Sequence, residues 1–208
     1  DAGFPDCKIC ASNSLDEYII RDMLVQGARV DSFGVGERLI TSSSHPIFGG
    51  VYKLSGVEDA QGNVVPKIKI SENVAKITTP GFKKIYRLYD RETGKAIADV
   101  ITLHGETIDD GKPYEIFDPD YVWKRKTVQN FRAVEIREQI FRGGRRVAKE
   151  RPLPEIQSYC RGQVDTLWDE VKRFENPHHY YVDLSQKLWD VKNEMLKLKV
   201  SENQENGI

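Results

Sequence analysis

The stretch "GARVDSFGVGERLITSS", Gly27–Ser43, contains two closely spaced glycines, Gly34 and Gly36, that could bind an anion. Gly34 and Gly36 follow an apolar run and stand directly before Glu37. Because glycine permits positive φ and lets a ligand approach the bare backbone, such a pair makes either a sharp turn or a small anion cradle of N–H groups. The pattern alone is compatible with both.

The elements that must position these glycines are a strand, a helix and a second strand. Cys7–Ser12 is a short, mostly apolar run, and Ser14–Gly27 has the apolar spacing of an amphipathic helix. We expect Ser14 to cap this helix, with Glu17 completing a capping box, and the last glycine to end it. The pattern of Arg29–Phe33 predicts a second buried strand. The order strand, helix, strand is that of a βαβ unit.

A βαβ unit brings two loops of this sequence to the same edge of a parallel sheet. Loops at the carboxyl ends of parallel strands form the active sites of α/β barrels and open sheets, where phosphates bind backbone N–H groups. If Glu37–Ser42 begins a short helix, its N–H groups point at the same place. We therefore predict a phosphate-binding site whose residues are Ser12, Asn13, Gly34, Val35, Gly36 and Glu37.

Charge and cysteine usage exclude several classes of protein. The 208 residues carry 31 Lys and Arg against 32 Asp and Glu, a formal net charge of −1, so no overall field favours nucleic acid or a membrane surface. The three cysteines argue against a disulfide framework and for a reducing compartment, which predicts a cytoplasmic protein. The sequence has no apolar run of about 18 residues and no signal-peptide pattern. We expect neither a nucleic-acid nor a membrane partner.

The remainder of the chain has the pattern of antiparallel strands followed by two helices. Apolar and polar residues alternate over 49–58, 66–72, 83–106 and 114–119, with hairpin turns at 59–64, at Glu92-Thr93-Gly94 and around Arg142-Gly143-Gly144. A helix is predicted over 154–174, broken at Asn176-Pro177, and a last helix is capped by Ser185. Residues 201–208 are expected to be disordered.

Two separated parts of the sequence resemble nicotinate phosphoribosyltransferases. "KICASNSLDEYIIRDMLVQGARVDSFGVGERLITSS", followed by "PIFGGVYKL", is similar to the seventh and eighth barrel strands of that family and the segment after them. "NPHHYYVDLSQKLWDVK" resembles the family's C-terminal signature. The two parts lie far apart and in the expected order, and the likeness extends to about Lys199.

The resemblance implies a fold of α/β plus α+β class. The last two strands of a TIM-like type II phosphoribosyltransferase barrel would precede a mainly antiparallel β region and C-terminal helices. The expected division is a barrel end at 1–48, an α+β domain at 49–200 and a tail at 201–208. Because the family chain is considerably longer, we expect this chain to be a C-terminal piece, inactive by itself.

The resemblance also implies an activity in NAD salvage. The complete enzyme would join nicotinate to phosphoribosyl pyrophosphate, giving nicotinate mononucleotide and pyrophosphate, with Mg²⁺ and with ATP hydrolysis. The loop residues above would clamp the ribose phosphate. Many family members have threonine where this chain has Glu37, and we expect Glu37 to offer its N–H while its carboxylate turns toward Arg38. The family's nicotinate-binding arginine and phosphorylated histidine lie upstream, so no catalytic residue and no metal ligand is predicted here.

The expected partners are the two substrates, the upstream part of the same enzyme and a second copy in a homodimer. Two alternatives stay open at this point. The chain could be a non-catalytic structural or interaction module whose glycine loop is only a turn. Alternatively, nicotinamide or quinolinate could be the base that the complete enzyme uses.

Overall fold

The chain forms two compact units in the computed structural model, which describes residues 3–42, 46–47 and 49–205. The units are Asp1–Tyr52 and Lys53–Ile208, whereas the sequence predicted a boundary after residue 48. Each unit has its own sheets, and the predicted phosphate site falls wholly within the first.

The first unit contains the predicted βαβ order followed by a short helix. Strand β1, Cys10–Ser12, pairs in parallel with strand β2, Ser32–Gly34, and helix α1, Glu17–Val25, connects them. Helix α2, Glu37–Ile40, follows the second strand. Gly27 stands just beyond α1 with a φ of 79°, the left-handed conformation in which glycine commonly ends a helix. The order is therefore confirmed, with each element shorter than predicted.

The start of α1 differs from the predicted one. Asn13 and Ser14 have φ values of 89° and 51°, a turn in which Ser14 cannot take the extended backbone of an N-cap. Asp16 has that extended backbone, and its Oδ1 accepts a hydrogen bond from the N–H of Ile19 at 2.8 Å. The predicted capping box, in which Glu17 was to pair with Ser14, is therefore wrong.

The second unit is built from one four-stranded sheet and three antiparallel pairs. Its strands are β3 (Gly56–Glu58), β4 (Val64–Pro66), β5 (Lys83–Asp90), β6 (Ala96–Leu103), β7 (Tyr114–Phe117), β8 (Arg125–Val128), β9 (Phe131–Glu135), β10 (Phe141–Arg142), β11 (Arg145–Arg146) and β12 (Val182–Leu184). Its helices are α3 (Leu153–Asp165) and α4 (Gln186–Glu205). The large sheet has the order β12-β6-β5-β9, and the small pairs are β3–β4, β7–β8 and β10–β11. The three predicted hairpin turns are confirmed.

One edge strand of the large sheet runs parallel to its neighbour. Strand β12 pairs with β6, and Asp183 lies opposite Val100. The sequence predicted a mainly antiparallel region, and this parallel edge requires a long return of the chain through α3, which no local pattern encodes. The first unit supplies one further parallel pair, β1–β2. Two strands do not close a barrel, so the barrel expected from the resemblance stays a prediction.

The core of the second unit joins the large sheet to the β7–β8 pair. Leu88, Val100 and Phe131 are fully inaccessible to solvent. Around them pack Tyr86, Ala98, Ile108, Ile116 and Val128. Leu188 of α4 is also fully buried. This unit therefore has its own hydrophobic core, which stabilises the large sheet.

The two helices of the second unit begin as predicted but end elsewhere. Helix α3 stops at Asp165 instead of continuing to residue 174, and Lys95 Nζ binds the carbonyl oxygens of Asp165 and Leu167 at this end, at 2.9 and 3.2 Å. Ser185 caps α4 as predicted, since its Oγ accepts a hydrogen bond from the N–H of Leu188 at 3.2 Å. Helix α4 extends to Glu205. Residues 201–205 are thus helical instead of disordered, and 206–208 lie outside the described residues.

Candidate phosphate-binding site

The ends of β1 and β2 lie side by side, as the βαβ prediction required. Ser12 is the parallel partner of Gly34. A Cβ added at Gly34 would lie 3.0 Å from the Cβ of Ser12, closer than two carbon atoms pack. The first glycine of the pair is therefore needed where two strands approach each other closely.

Gly36 has a different environment from Gly34. It is the N-cap of α2, and a Cβ added there would meet no described atom within 4 Å. Within the described part of the chain, the N–H groups of Gly36 and Glu37 donate no hydrogen bond. The first N–H groups of a helix have no partner inside it and carry a partial positive charge. Open space and unused donors therefore meet at the second glycine.

A cavity of about 320 Å³ opens beside these N–H groups. Its lining residues are Ser14, Gly36, Glu37, Arg38 and Thr41. Two of the six predicted site residues line it. The other four, Ser12, Asn13, Gly34 and Val35, lie on the adjoining strand ends and loop instead. All six are solvent-exposed, so the glycine loop is not a turn buried under its own side chains.

Arg38 is the cationic group of this cavity, and sequence reasoning gave it no direct role. Its Nε lies 2.9 Å from Oδ2 of Asp16, and its Nη1 donates to the carbonyl oxygen of Ser14 at 3.4 Å. The expected contact of Glu37 with Arg38 is thus replaced by an ion pair with the cap of α1. A guanidinium has five N–H donors, so donors remain for an anion in the cavity. The sequence signal that could have identified Arg38 as a site residue is its position in the first helical turn after the glycine pair.

The described residues offer no metal centre beside this cavity. In 3–42, 46–47 and 49–205, no three His, Cys, Asp or Glu side chains group as metal ligands. Cys7, Cys10 and Cys160 are exposed and are not joined in disulfides. None of the helices described is long and apolar enough to cross a membrane.

The match to a known family falls on the second unit. Residues 82–192 match the family model described as the nicotinate phosphoribosyltransferase C-terminal domain. The chain belongs to this family. The nicotinate phosphoribosyltransferase of Bacillus subtilis is 41% identical over 192 residues, and nicotinate phosphoribosyltransferase 2 of Arabidopsis thaliana is 35% identical over 191. The recognition made on the glycine stretch and the C-terminal signature is thereby confirmed.

The aligned region takes in most of this chain but well under half of each relative. The similarity takes in 92% of this chain but 39% of the Bacillus protein, and 90% of this chain but 33% of the Arabidopsis protein. A crystal structure of the human nicotinic acid phosphoribosyltransferase matches with a TM-score of 0.66 at 22% identity, covering 91% of this chain and 33% of the human one. The fold is therefore the one found in part of that enzyme.

Proposed function

We propose that this chain supplies the C-terminal part of a nicotinate phosphoribosyltransferase of NAD salvage, located in the cytoplasm. The observation that carries the proposal is the 41% identity to the Bacillus enzyme over 92% of this chain. The chain spans only 39% of that relative, so the complete activity depends on residues upstream of it. The complete enzyme would use nicotinate, phosphoribosyl pyrophosphate, Mg²⁺ and ATP.

In the proposed reaction, the main role of this chain is to position the ribose phosphate of the substrate, and it supplies no acid–base group. The nicotinate ring nitrogen attacks the anomeric carbon of phosphoribosyl pyrophosphate as pyrophosphate leaves, through an oxocarbenium-like transition state. A clamped ribose phosphate holds that carbon in line between nucleophile and leaving group. We assign the clamp to the backbone N–H groups of Gly34, Val35, Gly36 and Glu37, with Ser12 and Asn13 contributing from the neighbouring loop.

The free donors at Gly36 and Glu37 support this assignment, and Arg38 adds a positive charge next to them. A phosphate bound there would receive charge-assisted hydrogen bonds from backbone and guanidinium together. No group of three or more metal-ligating side chains lies among the described residues.

The rest of the proposed enzyme would complete the first unit. We propose that β1 and β2 are the last strands of a TIM-like barrel whose other strands come from upstream, and that two such chains form a homodimer. The support is the amount of apolar surface on the first unit, which buries only Leu15 and Asp16 among its described residues. Ile9, Val25 and Ile40 are more than half exposed there, as expected of a surface that another part of the enzyme covers.

The test compares the full-length enzyme with this 208-residue chain. With Mg²⁺, ATP and phosphoribosyl pyrophosphate, we expect the full-length enzyme to convert nicotinate and the chain alone to form no product. Nicotinamide and quinolinate, offered in parallel, should be poor substrates. Turnover by the isolated chain, or a full-length enzyme that prefers another base, would contradict the proposal.

A further inference from the structure

A second polar cavity lies in the other unit and has no part in the proposed phosphate site. Its volume is about 240 Å³, and strands β7, β8 and β12 contribute to its wall. Its lining residues are Ile116, Phe117, Asp118, Lys124, Arg125, Lys126, Tyr181 and Asp183. Five of these eight residues are charged, and Ile116 and Phe117 supply the apolar part of the wall.

Asp183 is the polar group that distinguishes this cavity. The residue is only 3% exposed, and within the described residues its carboxylate forms no hydrogen bond or ion pair. Asp99, on the adjacent strand β6, is buried to a similar extent but fully paired. Its two oxygens bind Arg87 at 2.8 and 2.9 Å, and Tyr180 donates to Oδ1 at 2.9 Å. No side-chain oxygen among the described residues is both fully buried and without a hydrogen-bond partner, so the unpaired carboxylate oxygens of Asp183 reach solvent at the cavity.

A second carboxylate faces the same cavity. Asp118 is held in place because its Oδ1 accepts hydrogen bonds from the N–H groups of Asp120 and Tyr121 at 2.9 and 3.0 Å. Burial raises the pKa of Asp183 to about 6, and the negative charge of Asp118 adds to the rise. Two carboxylates turned toward one cavity favour a positively charged occupant.

Two of the three basic residues around the cavity, Arg125 and Lys124, are engaged elsewhere. Arg125 forms an ion pair with Glu115 and lies 4.6 Å from the centre of the Phe117 ring. Lys124 Nζ lies 4.2 Å from the centre of the Tyr121 ring. Lys126 is exposed and, among the described residues, is not paired with Asp183. Among the described residues, no cationic side chain therefore pairs with the carboxylate of Asp183.

We propose that this cavity binds the protonated amino group of a small amine or α-amino acid. An ammonium has three donors, enough to reach both Asp183 and Asp118. Phe117 in the cavity wall, beside Ile116 and Tyr181, suits the aliphatic part of the ligand. A ligand carboxylate would lie toward Lys124 and Lys126 at the cavity wall.

The binding should depend on pH. An ammonium pairs with Asp183 only when that carboxylate is ionised, so affinity should fall as the pH drops below about 6. The other titratable groups near it are Asp118, Lys124, Lys126 and Tyr114, whose pKa burial raises to about 12. Tyr114 stays neutral between about pH 5 and 7.5.

The test is a nuclear magnetic resonance titration of the chain with n-butylamine, L-norvaline and butyrate at about pH 7.5 and pH 5. We expect saturable shifts at residues of this cavity with the amine or the amino acid at the higher pH, and none with butyrate. Tighter binding of norvaline identifies an amino-acid site, and tighter binding of butylamine identifies a simple amine site. Absence of saturation with either at the higher pH would overturn the proposal.

Two variants separate the site from a general surface effect. Asp183→Asn keeps the shape but removes the charge, and it should weaken binding at least about tenfold. Asp118→Asn provides a second variant in which the amide oxygen can still accept the two backbone hydrogen bonds. Asp169→Asn, an exposed carboxylate outside the cavity, should leave binding unchanged. Equal affinity in Asp183→Asn and Asp169→Asn would overturn the proposal.

Discussion

Gly34 and Gly36 are glycines for different physical reasons. At Gly34 a side chain would collide with Ser12, which lies on the neighbouring strand. At Gly36 a side chain would meet no described atom within 4 Å, so the fold of the chain does not require a glycine there. Gly36 is therefore the glycine that packing does not require. The open space beside it is where a ligand can approach the backbone N–H groups.

Gly36→Val in the full-length enzyme should weaken binding of phosphoribosyl pyrophosphate. The branched side chain would enter the open space beside the N–H groups and displace a phosphate from one or two hydrogen bonds. Since each such bond is worth about 1.5–3 kcal/mol, the dissociation constant should rise roughly tenfold to several hundredfold. Titration with each substrate checks this, and nicotinate affinity should change far less.

The controls for that variant are its stability and a neighbouring substitution. The melting temperature should stay close to that of the unmodified enzyme, because position 36 has room for a side chain. Glu37→Thr should be tolerated or should tighten phosphate binding, since it removes a nearby negative charge. An unchanged phosphoribosyl pyrophosphate affinity in a folded Gly36→Val enzyme would mean that the glycine pair is only a turn.

Asp183 makes the stability of the second unit depend on pH. Its pKa is about 6 in the folded protein, above the 3.8 of an ordinary aspartate, so the folded state binds the proton more tightly than the unfolded state. The contribution of this group is fully present below pH 3.8 and is lost as the pH rises through 6. Urea unfolding at about pH 4.5 and 7.5 should therefore show Asp183→Asn gaining stability over the original chain at both values, with a gain about 1–2 kcal/mol larger at pH 7.5. An equal difference at both pH values would contradict the assignment.

At the level of elements, one buried ion pair ties four segments together. Arg87 on β5 binds Asp99 on β6 through two hydrogen bonds. Its Nη1 also donates to Gln163 on α3 at 3.2 Å, and Tyr180, just before β12, donates to Asp99. Hydrogen bonding to the Asp99 carboxylate is the main reason that the pKa of Arg87 is raised, so the guanidinium stays charged. The network connects α3 and the parallel strand to the sheet.

Arg87→Met should destabilise the second unit, because it leaves the carboxylate of Asp99 buried without its cation. Removing one partner of a buried pair typically costs about 3–5 kcal/mol. Adding Asp99→Asn should recover part of this loss, since the uncompensated charge is then gone. Urea unfolding monitored by circular dichroism measures both. Lys172→Met is the matched control, because its ion pair with Asp169 is exposed and should cost less than about 1 kcal/mol.

At the scale of the whole molecule, the two units differ in how much interior they have. The second unit buries a continuous apolar cluster that includes Leu88, Val100 and Phe131. The first buries only Leu15 and Asp16 among its described residues, while Phe4, Val25 and Ile40 are 77%, 80% and 74% exposed. A unit without an interior cannot offset the entropy lost on folding.

Expressed separately, residues 53–208 should fold and residues 1–52 should not. We expect a cooperative urea transition and dispersed amide resonances for the longer piece, because its core is internal to it. The shorter piece should give the narrow amide dispersion of an unfolded chain or should aggregate through its exposed apolar residues. Dispersed resonances from a monomeric 1–52 would contradict this, and would also weaken the proposal that upstream strands complete this unit.

Local patterns in the sequence were enough to predict the order of elements and several of their boundaries. The βαβ order, the hairpin turns and the Ser185 cap follow from apolar spacing and turn residues, which act over a few neighbours in the chain. The family likewise followed from two short stretches. The two loops proposed to bind phosphate were predicted to lie side by side because the strand ends of a βαβ unit must adjoin, and Ser12 does lie opposite Gly34.

Contacts between distant segments were decided only by the tertiary structure. Arg38 pairs with Asp16 instead of turning to Glu37 because the βαβ crossover brings the start of α2 to the start of α1. Strand β12 lies parallel to β6, and this places Asp183 at a cavity where no described residue pairs with its carboxylate, while Asp99 is fully bonded. Alternation along a strand predicts which residues share a face, but which segment covers that face depends on how the whole chain returns to it.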